Sequence, residues 1–324
     1  MFLGIDHGTN AMRFAAINGV EEKHFEIPRT EISQMNENEI LPLLLDKFDI
    51  TENEIELIAV TYSMGDGITC IENVKNVKNR GVQNIEGVGK KTGAGTLVFD
   101  AVLHSDIPTV VIPGIHEKSS TDPRMNVFSH STSPEKLGIA YNAFCTGVRD
   151  FIVSDMGSNT VTLGVVDGKV VGAIDACIFA PGTNHGPLDL QAIRDVDAGK
   201  CTANEAFMNS GVLKQTPYST SSELITAFTE GKKDAAFSMD CLALFASMEI
   251  SAMQVLLKDY DVKESALFLA GSIGEVGYVQ ELIAKYTGSK PQLLGKWSAA
   301  LGSAMIARDI ASGKAEILGI PVNF

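Results

Sequence analysis

The pattern Asp-x-Gly-(Ser/Thr)-Asn is written twice in this chain, in IDHGTNAMRFAAINGV (residues 5–20) and again in SDMGSNTVTLGVVDGK (residues 154–169). A shift of 149 residues lays Asp6 on Asp155, Gly8 on Gly157, Thr9 on Ser158, Asn10 on Asn159 and Gly19 on Gly168. Each copy ends a short apolar strand at its Asp, so the carboxylate projects from the strand's C-terminal end. The Gly lets the chain turn with its amides outward, and the Ser/Thr hydroxyl adds another donor. Outward amides cradle phosphate, and carboxylates are hard oxygen ligands suited to Mg²⁺, directly or through its waters. Two such turns facing each other across a cleft form a clamp for a polyphosphate. Gly8, Thr9, Asn10, Gly157, Ser158 and Asn159 are therefore the expected phosphate-binding residues, and Asp6 and Asp155 the expected metal organisers.

The elements that must position these residues alternate between strand-like and helix-like patterns, as in an α/β protein. Residues 2–6 read as a strand and 12–17 as a second, turning at Asn18-Gly19 into a third over 20–27, since Asn-Gly favours a hairpin. A helix is expected over 39–48 with Pro42 in its first turn, then a buried strand at 55–61, loops from 65 to 95, and a helix at 96–104. A buried strand at 108–113 and a helix at 134–148, with Ser133 as its N-cap, close this half. The second half restarts with strands at 151–155 and 160–166, and Asp167-Gly168 turns into 170–176. A helical block follows from about 188 to 260. Its last part, 234–260, is nearly uncharged at its centre, and Met239, Met248 and Met253 are expected in the core. A buried strand at 266–270, a helix at 276–286, a short strand at 292–294 and a small-residue helix at 298–312 complete the chain. Two halves that open alike and close in α/β units are an internal duplication. The expected domains are 1–148 and 149–324, the last helix packing back across the domain interface.

At 324 residues the chain is long for one core. With 45% hydrophobic and 20% charged residues its composition is that of a soluble globular protein. A net charge of -14 argues against a nucleic-acid surface, which needs clustered Lys and Arg. It leaves ATP open, because backbone amides and Mg²⁺ hold phosphates on an acidic protein. The cysteines at 70, 145, 177, 201 and 241 are too far apart for CxxC pairs. The N-terminus reads directly as a strand, with no basic region and apolar run before it. No uncharged apolar segment reaches about 18 residues, so no membrane partner is expected and the cytoplasm is the expected compartment.

These motifs resemble those of the actin-like ATPase superfamily, which includes sugar kinases, acetate and butyrate kinases, heat-shock chaperones and actin. LFLAGSIGEVGYVQELI (residues 267–283) is similar to its adenosine-binding turn, which places Gly271, Ser272, Gly274 and Glu275 beside a nucleotide. WSAALGSAMIARDI (297–310) resembles its closing small-residue helix. The resemblance implies two duplicated actin-like (ribonuclease H-like) α/β domains with a nucleotide cleft between them, and ATP and Mg²⁺ as cofactors. Within the superfamily, LAGSIGE and PGTNHGPLDLQAIRDVDAGK (181–200) look most like acyl kinases. TLVFDAVLH resembles the segment carrying their essential Asp, here Asp100, and DPRMNVFSHST places Arg124 and His130 near the transferred phosphoryl. The chain departs from acyl kinases in opening with Asp6 rather than Asn. It also has no Arg in IAVTYSMGDGIT, where a carboxylate substrate would need a bidentate cation. Taken whole, it resembles most the archaeal methanogenesis marker protein 12 family. The implied activity is an ATP- and Mg²⁺-dependent phosphotransferase or ATPase, acting on a small phosphoryl acceptor or a protein partner, with a homodimer expected. An ATP-driven activator of a methanogenic redox enzyme and a nucleotide-binding regulator without turnover are the alternatives.

Other residues invite chemistry less directly. GVGKKTGAGT (87–96) lacks the Walker pattern G-x-x-x-x-G-K-(S/T), and reads as a loop whose Lys90 or Lys91 could touch a phosphate. Cys145 and Cys177 flank the second turn much as cluster-binding cysteines do in activator ATPases, and also read as ordinary buried thiols. Asp100 reads as a general base, as a group bonded to the ligands or waters of Mg²⁺, or as a helix residue facing solvent. His7 reads as a turn residue.

Overall fold

The computed structural model describes residues 1–84 and 93–324, so Lys90 and Lys91 lie outside the described residues. The chain forms two units, Met1–Gly147 with Trp297–Phe324, and Val148–Lys296.

The first unit opens on an antiparallel meander: β1 (Phe2–Asp6), β2 (Ala11–Asn18) and β3 (Glu21–Pro28). A single helical turn, α1 (Arg29–Ile32), leads to α2 (Glu37–Phe48) and then β4 (Leu57–Val60), which pairs parallel to β1. After β5 (Ile71–Asn73) come α3 (Ala94–Leu103), β6 (Thr109–Val111), β7 (Ile115–His116), β8 (His130–Thr132) and α4 (Glu135–Phe144). The returning segment 297–324 adds three elements whose labels follow those of the second unit: α11 (Ser298–Ala311), β14 (Glu316–Ile317) and β15 (Ile320–Asn323). The sheet order is β14-β15-β5-β6-β4-β1-β2-β3, and β7 and β8 form a separate hairpin.

Alternation along the strands separates the two faces of this sheet. Leu3, Ile5, Met12, Phe14 and Ala16 share one core with Ile40, Leu44 and Phe48 of α2 and with Val98, Phe99 and Val102 of α3. The opposite face is built for close approach. A Cβ on Gly4 would stand 2.0 Å from the Ala300 carbonyl oxygen of α11, and one on Gly302 would stand 1.8 Å from that of Gly138 in α4. Small residues thus seat α11 on β1 and α4 with backbone against backbone. The far end is fastened by Asp309, which accepts from the Tyr141 hydroxyl and from Lys314 Nζ. This packing assigns 297–324 to the first unit, so the boundary expected at 149–324 is corrected to Val148–Lys296 for the second.

The second unit repeats the opening: β9 (Phe151–Met156), β10 (Thr160–Val166) and β11 (Lys169–Ile174), with Asp167 (φ 49°) and Gly168 (φ 74°) making the turn. Helices α5 (Leu190–Asp197), α6 (Ala203–Met208), α7 (Ser221–Thr229) and α8 (Lys233–Lys258) precede β12 (Ala266–Ala270). The one-turn α9 (Gly271–Gly274), α10 (Gly277–Thr287) and β13 (Gln292–Leu293) end it. Its sheet, β11-β10-β9-β12-β13, matches β3-β2-β1-β4-β6 of the first unit position for position: a meander, then parallel strands. The duplication read from the doubled motif is therefore present in the strand order itself.

By length and composition α8 is apolar enough to cross a membrane. In this fold its inner face, Met239, Leu242, Ala246, Ile250 and Met253, is buried, and it packs on β9, β10 and α10. Met248, expected in the core with Met239 and Met253, is instead exposed. It lies nine residues beyond Met239, about 180° around the helix. Helix α2 begins two residues before its expected start, because the Asn36 amide donates to Glu39 Oε2 at 2.7 Å in a capping box. Pro42 then falls past the first turn, and is tolerated because it and Asn38 are both exposed, leaving the unpaired carbonyl toward solvent.

Candidate functional site

In the first unit β1 ends at Asp6, directly opposite Arg13 of β2. Arg13 Nη1 donates to Asp6 Oδ2 at 3.2 Å, while the buried Oδ1 has no hydrogen-bond partner. Burial pushes the Asp6 carboxyl up to about 6, against the opposing pull of Arg13. Glu135 and Lys136 at the start of α4 add charges of opposite effect. A buried carboxylate oxygen with nothing to bind fits a cation or a metal-bound water.

The turn that follows is organised from its carbonyl side. Arg29 donates from its amide to the Asn10 carbonyl at 3.1 Å and from Nη1 to the Gly8 carbonyl at 3.2 Å. The amides of Gly8, Thr9 and Asn10 donate to no acceptor among the described residues. The second unit reaches the same result by another route. The Ser158 carbonyl accepts from the amides of Asn184 (3.2 Å) and His185 (2.9 Å), and the Gly157 carbonyl from that of Thr183 (2.9 Å). A Cβ on Gly182 would stand 2.3 Å from the Ser158 carbonyl oxygen, so only glycine lets this loop lie against the turn. His185 Nδ1 also meets Asn159 Oδ1. The Ser158 and Asn159 amides donate to no acceptor among the described residues. In both units the carbonyls are bound from behind and the amides are left in front, which is the polarity an anion requires.

The expected adenosine turn stands next to the second of these. Strand β12 pairs parallel to β9 with Ala270 opposite Asp155, and Gly271 follows at φ 79°. A Cβ there would stand 2.3 Å from the Met156 carbonyl oxygen and 2.5 Å from Asp155 Oδ1, so the position excludes every side chain. Ser272 and Gly274 continue into α9, and Glu275 caps its end.

No protein-family model matches the chain. It is 57% identical over 323 residues to a UPF0285 protein of Methanosarcina barkeri, covering 100% of this chain and 99% of that protein. It is 46% identical over 333 residues to a UPF0285 protein of Methanococcus maripaludis, covering 99% of each. The chain belongs to the UPF0285 family. Among solved structures it is similar to a propionate kinase from Francisella tularensis (TM-score 0.63, 12% identity, 95% of this chain and 98% of that one). An acetate kinase from Porphyromonas gingivalis matches at TM-score 0.62, 12% identity and the same coverage. A ROK family glucokinase from Streptomyces griseus, in complex with glucose and AMPPNP, matches at 0.51, 13% identity, 95% and 99%. These likenesses show the fold: this UPF0285 chain is a mixed α/β protein of two actin-like domains.

Asp100, Arg124 and His130, expected near the transferred phosphoryl, all lie in the first unit. Asp100, in the middle of α3, is clamped by Arg80, whose Nε and Nη2 donate to its two oxygens at 2.8 and 2.7 Å. Arg124 is exposed and forked onto the buried Asp122, Nε to Oδ1 at 3.0 Å and Nη2 to Oδ2 at 2.7 Å. His130 lies on β8 opposite His116. Cys145 belongs to the first unit and Cys177 to the second, and both are exposed rather than buried. No group of three or more His, Cys, Asp or Glu suited to a metal occurs among the described residues.

His7 is more than a turn residue. Its ring stacks on Tyr62, 5.2 Å away and 7° from parallel, and its Nδ1 accepts from the Ser63 amide at 3.1 Å. Burial, with the Arg29 charge nearby, lowers its pKa to about 3, so the ring is neutral and carries its proton on Nε2. That buried Nε2 has no partner and stands where a Cβ on Gly95 would be, 1.6 Å away. Tyr62 in turn bonds Thr96 at 3.0 Å, locking the start of α3 to the end of β4. Neither Arg29 nor Tyr62 follows from the motif. Their only sequence signal is position, just after β3 and just after β4, where strand ends face ligands in such sheets.

Proposed function

We propose that this UPF0285 protein is an ATP- and Mg²⁺-dependent phosphotransferase or ATPase. The observation that carries the reading is the pair of turns with bound carbonyls and open amides, at equivalent places in two copies of one meander. Gly8, Thr9 and Asn10 hold phosphoryl oxygens by their amides, as do Ser158 and Asn159, while Gly157 gives the second turn its shape. Asp6 Oδ1 takes Mg²⁺ or one of its waters, with Asp155 as the corresponding carboxylate of the second unit. The metal supplies charge neutralisation on the transferring phosphoryl. Gly271, Ser272, Gly274 and Glu275 line the adenosine, as supported by the AMPPNP in the similar glucokinase. The sources of the relatives support the association with methanogen metabolism expected of the marker protein 12 family.

Calorimetric titration with ADP and ATP, with and without Mg²⁺, tests this. One-to-one binding is expected, strengthened by Mg²⁺ and weakened at least tenfold by Asp155→Ala. Absence of binding by a folded sample would refute it. A second reading, nucleotide binding without turnover, is favoured by one observation: Asp100 and Arg124 are both engaged in two-point ion pairs. Tight binding without phosphate release or transfer would select it.

A further inference from the structure

The outer face of α8 carries a pattern that the nucleotide reading does not use. Phe237, Leu244, Met248 and Val255 are 59%, 42%, 47% and 63% exposed, although all are large and apolar. With Cys241 and Ser251, both partly exposed, they recur at intervals of four, three, four, three and four. At about 100° per residue these six positions fall in a stripe roughly 80° wide and about 27 Å long. This is the spacing of a two-helix coiled seam, and among the described residues no second helix covers it. Phe179, edge-on to Phe245 at 5.7 Å, and Tyr278, bonded to Asp240 at 2.6 Å, are exposed and widen the face on either side.

We infer that this face pairs two copies of the chain, with their α8 helices antiparallel about a two-fold axis. The pattern is complementary to itself when reversed. Leu244 falls opposite Met248 of the second copy, Cys241 opposite Ser251, and Phe237 opposite Val255. One layer further out, exposed Asp234 falls opposite exposed Lys258. Two-fold symmetry makes each of these contacts twice, so both ends of the seam close on opposite charges. A parallel pairing would set Asp234 on Asp234 and Lys258 on Lys258, which are like charges. On a chain of net charge -14, such local complementarity is what permits two copies to approach. A lipid surface would take the apolar stripe but has no use for the reversed charge order.

Sedimentation equilibrium over a hundredfold range of concentration tests the pairing. Wild type is expected at twice the 34.6 kDa chain mass, and Leu244→Glu at the chain mass with unchanged far-UV circular dichroism. Asp234→Lys and Lys258→Asp are each expected to weaken the dimer at least tenfold, and together to restore it. Asp234 also accepts from the Tyr218 hydroxyl, a bond the double variant does not regain, so recovery reports the interface. A wild type monomeric throughout would overturn the inference, including one that binds phosphatidylcholine vesicles through this face. So would a dimer indifferent to Leu244→Glu. Singles that weaken without recovery in the double variant would overturn the antiparallel register.

Discussion

Glu249 lies on the inner face of α8 and is completely buried. Its Oε1 accepts from the Ala180 amide at 3.0 Å, tying α8 to the segment that leads into Gly182 and the second turn, while Oε2 has no hydrogen-bond partner. Burial pushes the carboxyl from 4.5 up to about 8, with the Ala180 amide opposing and the charge of Asp175 reinforcing. The folded state therefore holds a proton that the unfolded state has lost, and stability falls as pH rises from about 4.5 to about 8. At about 1.4 kcal/mol per unit, the loss between pH 5 and pH 8 is on the order of 3–4 kcal/mol. Glu249→Gln keeps the acceptor for Ala180 and removes the titration. Thermal melts by circular dichroism should show the variant matching wild type at pH 5. At pH 8 it should melt higher by about 10 °C, for a unit of this size. Asp6, pushed up to about 6, adds its own loss in the same direction, but equally to both proteins, so the difference isolates Glu249. Parallel melting curves across this range would refute the reasoning, because they require a Glu249 that ionises as it does in water.

Gly95→Ala should destabilise the first unit by about 1–3 kcal/mol, since its methyl needs the place of His7 Nε2. In a His7→Ala background the same change should cost little, and a denaturation cycle that finds the two additive would exclude the contact. Gly302→Ala puts a Cβ 1.8 Å from the Gly138 carbonyl oxygen, so a large drop in melting temperature is expected, read by fluorescence of Trp297 beside His24. Because Asp6 must lose its proton to hold a cation, the Mg²⁺ enhancement of nucleotide binding should fade below about pH 6. Asp6→Asn should abolish the enhancement at every pH, and retention by the variant would take the metal away from Asp6.

The duplicated meanders were legible because period-two strands joined by Asn-Gly and Asp-Gly announce themselves locally. Gly271 came from the resemblance of its segment to an adenosine-binding turn, and its φ of 79° shows why a glycine stands there. What the residues could not announce was held by distant partners. Asp100 is claimed by Arg80 from twenty positions away, presented by a loop in which Asn79, Arg80 and Gly81 all have positive φ. Arg29 serves the first turn only because β3 returns beside β2 and brings it there. The boundary at Trp297 depended on glycines at 4, 138 and 302 meeting across the chain, and nothing in WSAALGSAMIARDI names that partner. Strands β14 and β15 are two and four residues long, below the length at which alternation can be read.

The first unit is interrupted, and its two pieces are separated by the whole of the second. During synthesis the ribosome delivers β1 long before α11, the helix whose small residues cover Gly4. Until residue 311 has emerged, that face of the central strand has no lid, whereas Val148–Lys296 is by then complete and contiguous. The usual order of birth, N-terminal part first, is thereby inverted. The middle of the chain is expected to mature before its beginning. A chain truncated after Lys296 and released should present a protease-resistant middle preceded by a cleavable N-terminal part.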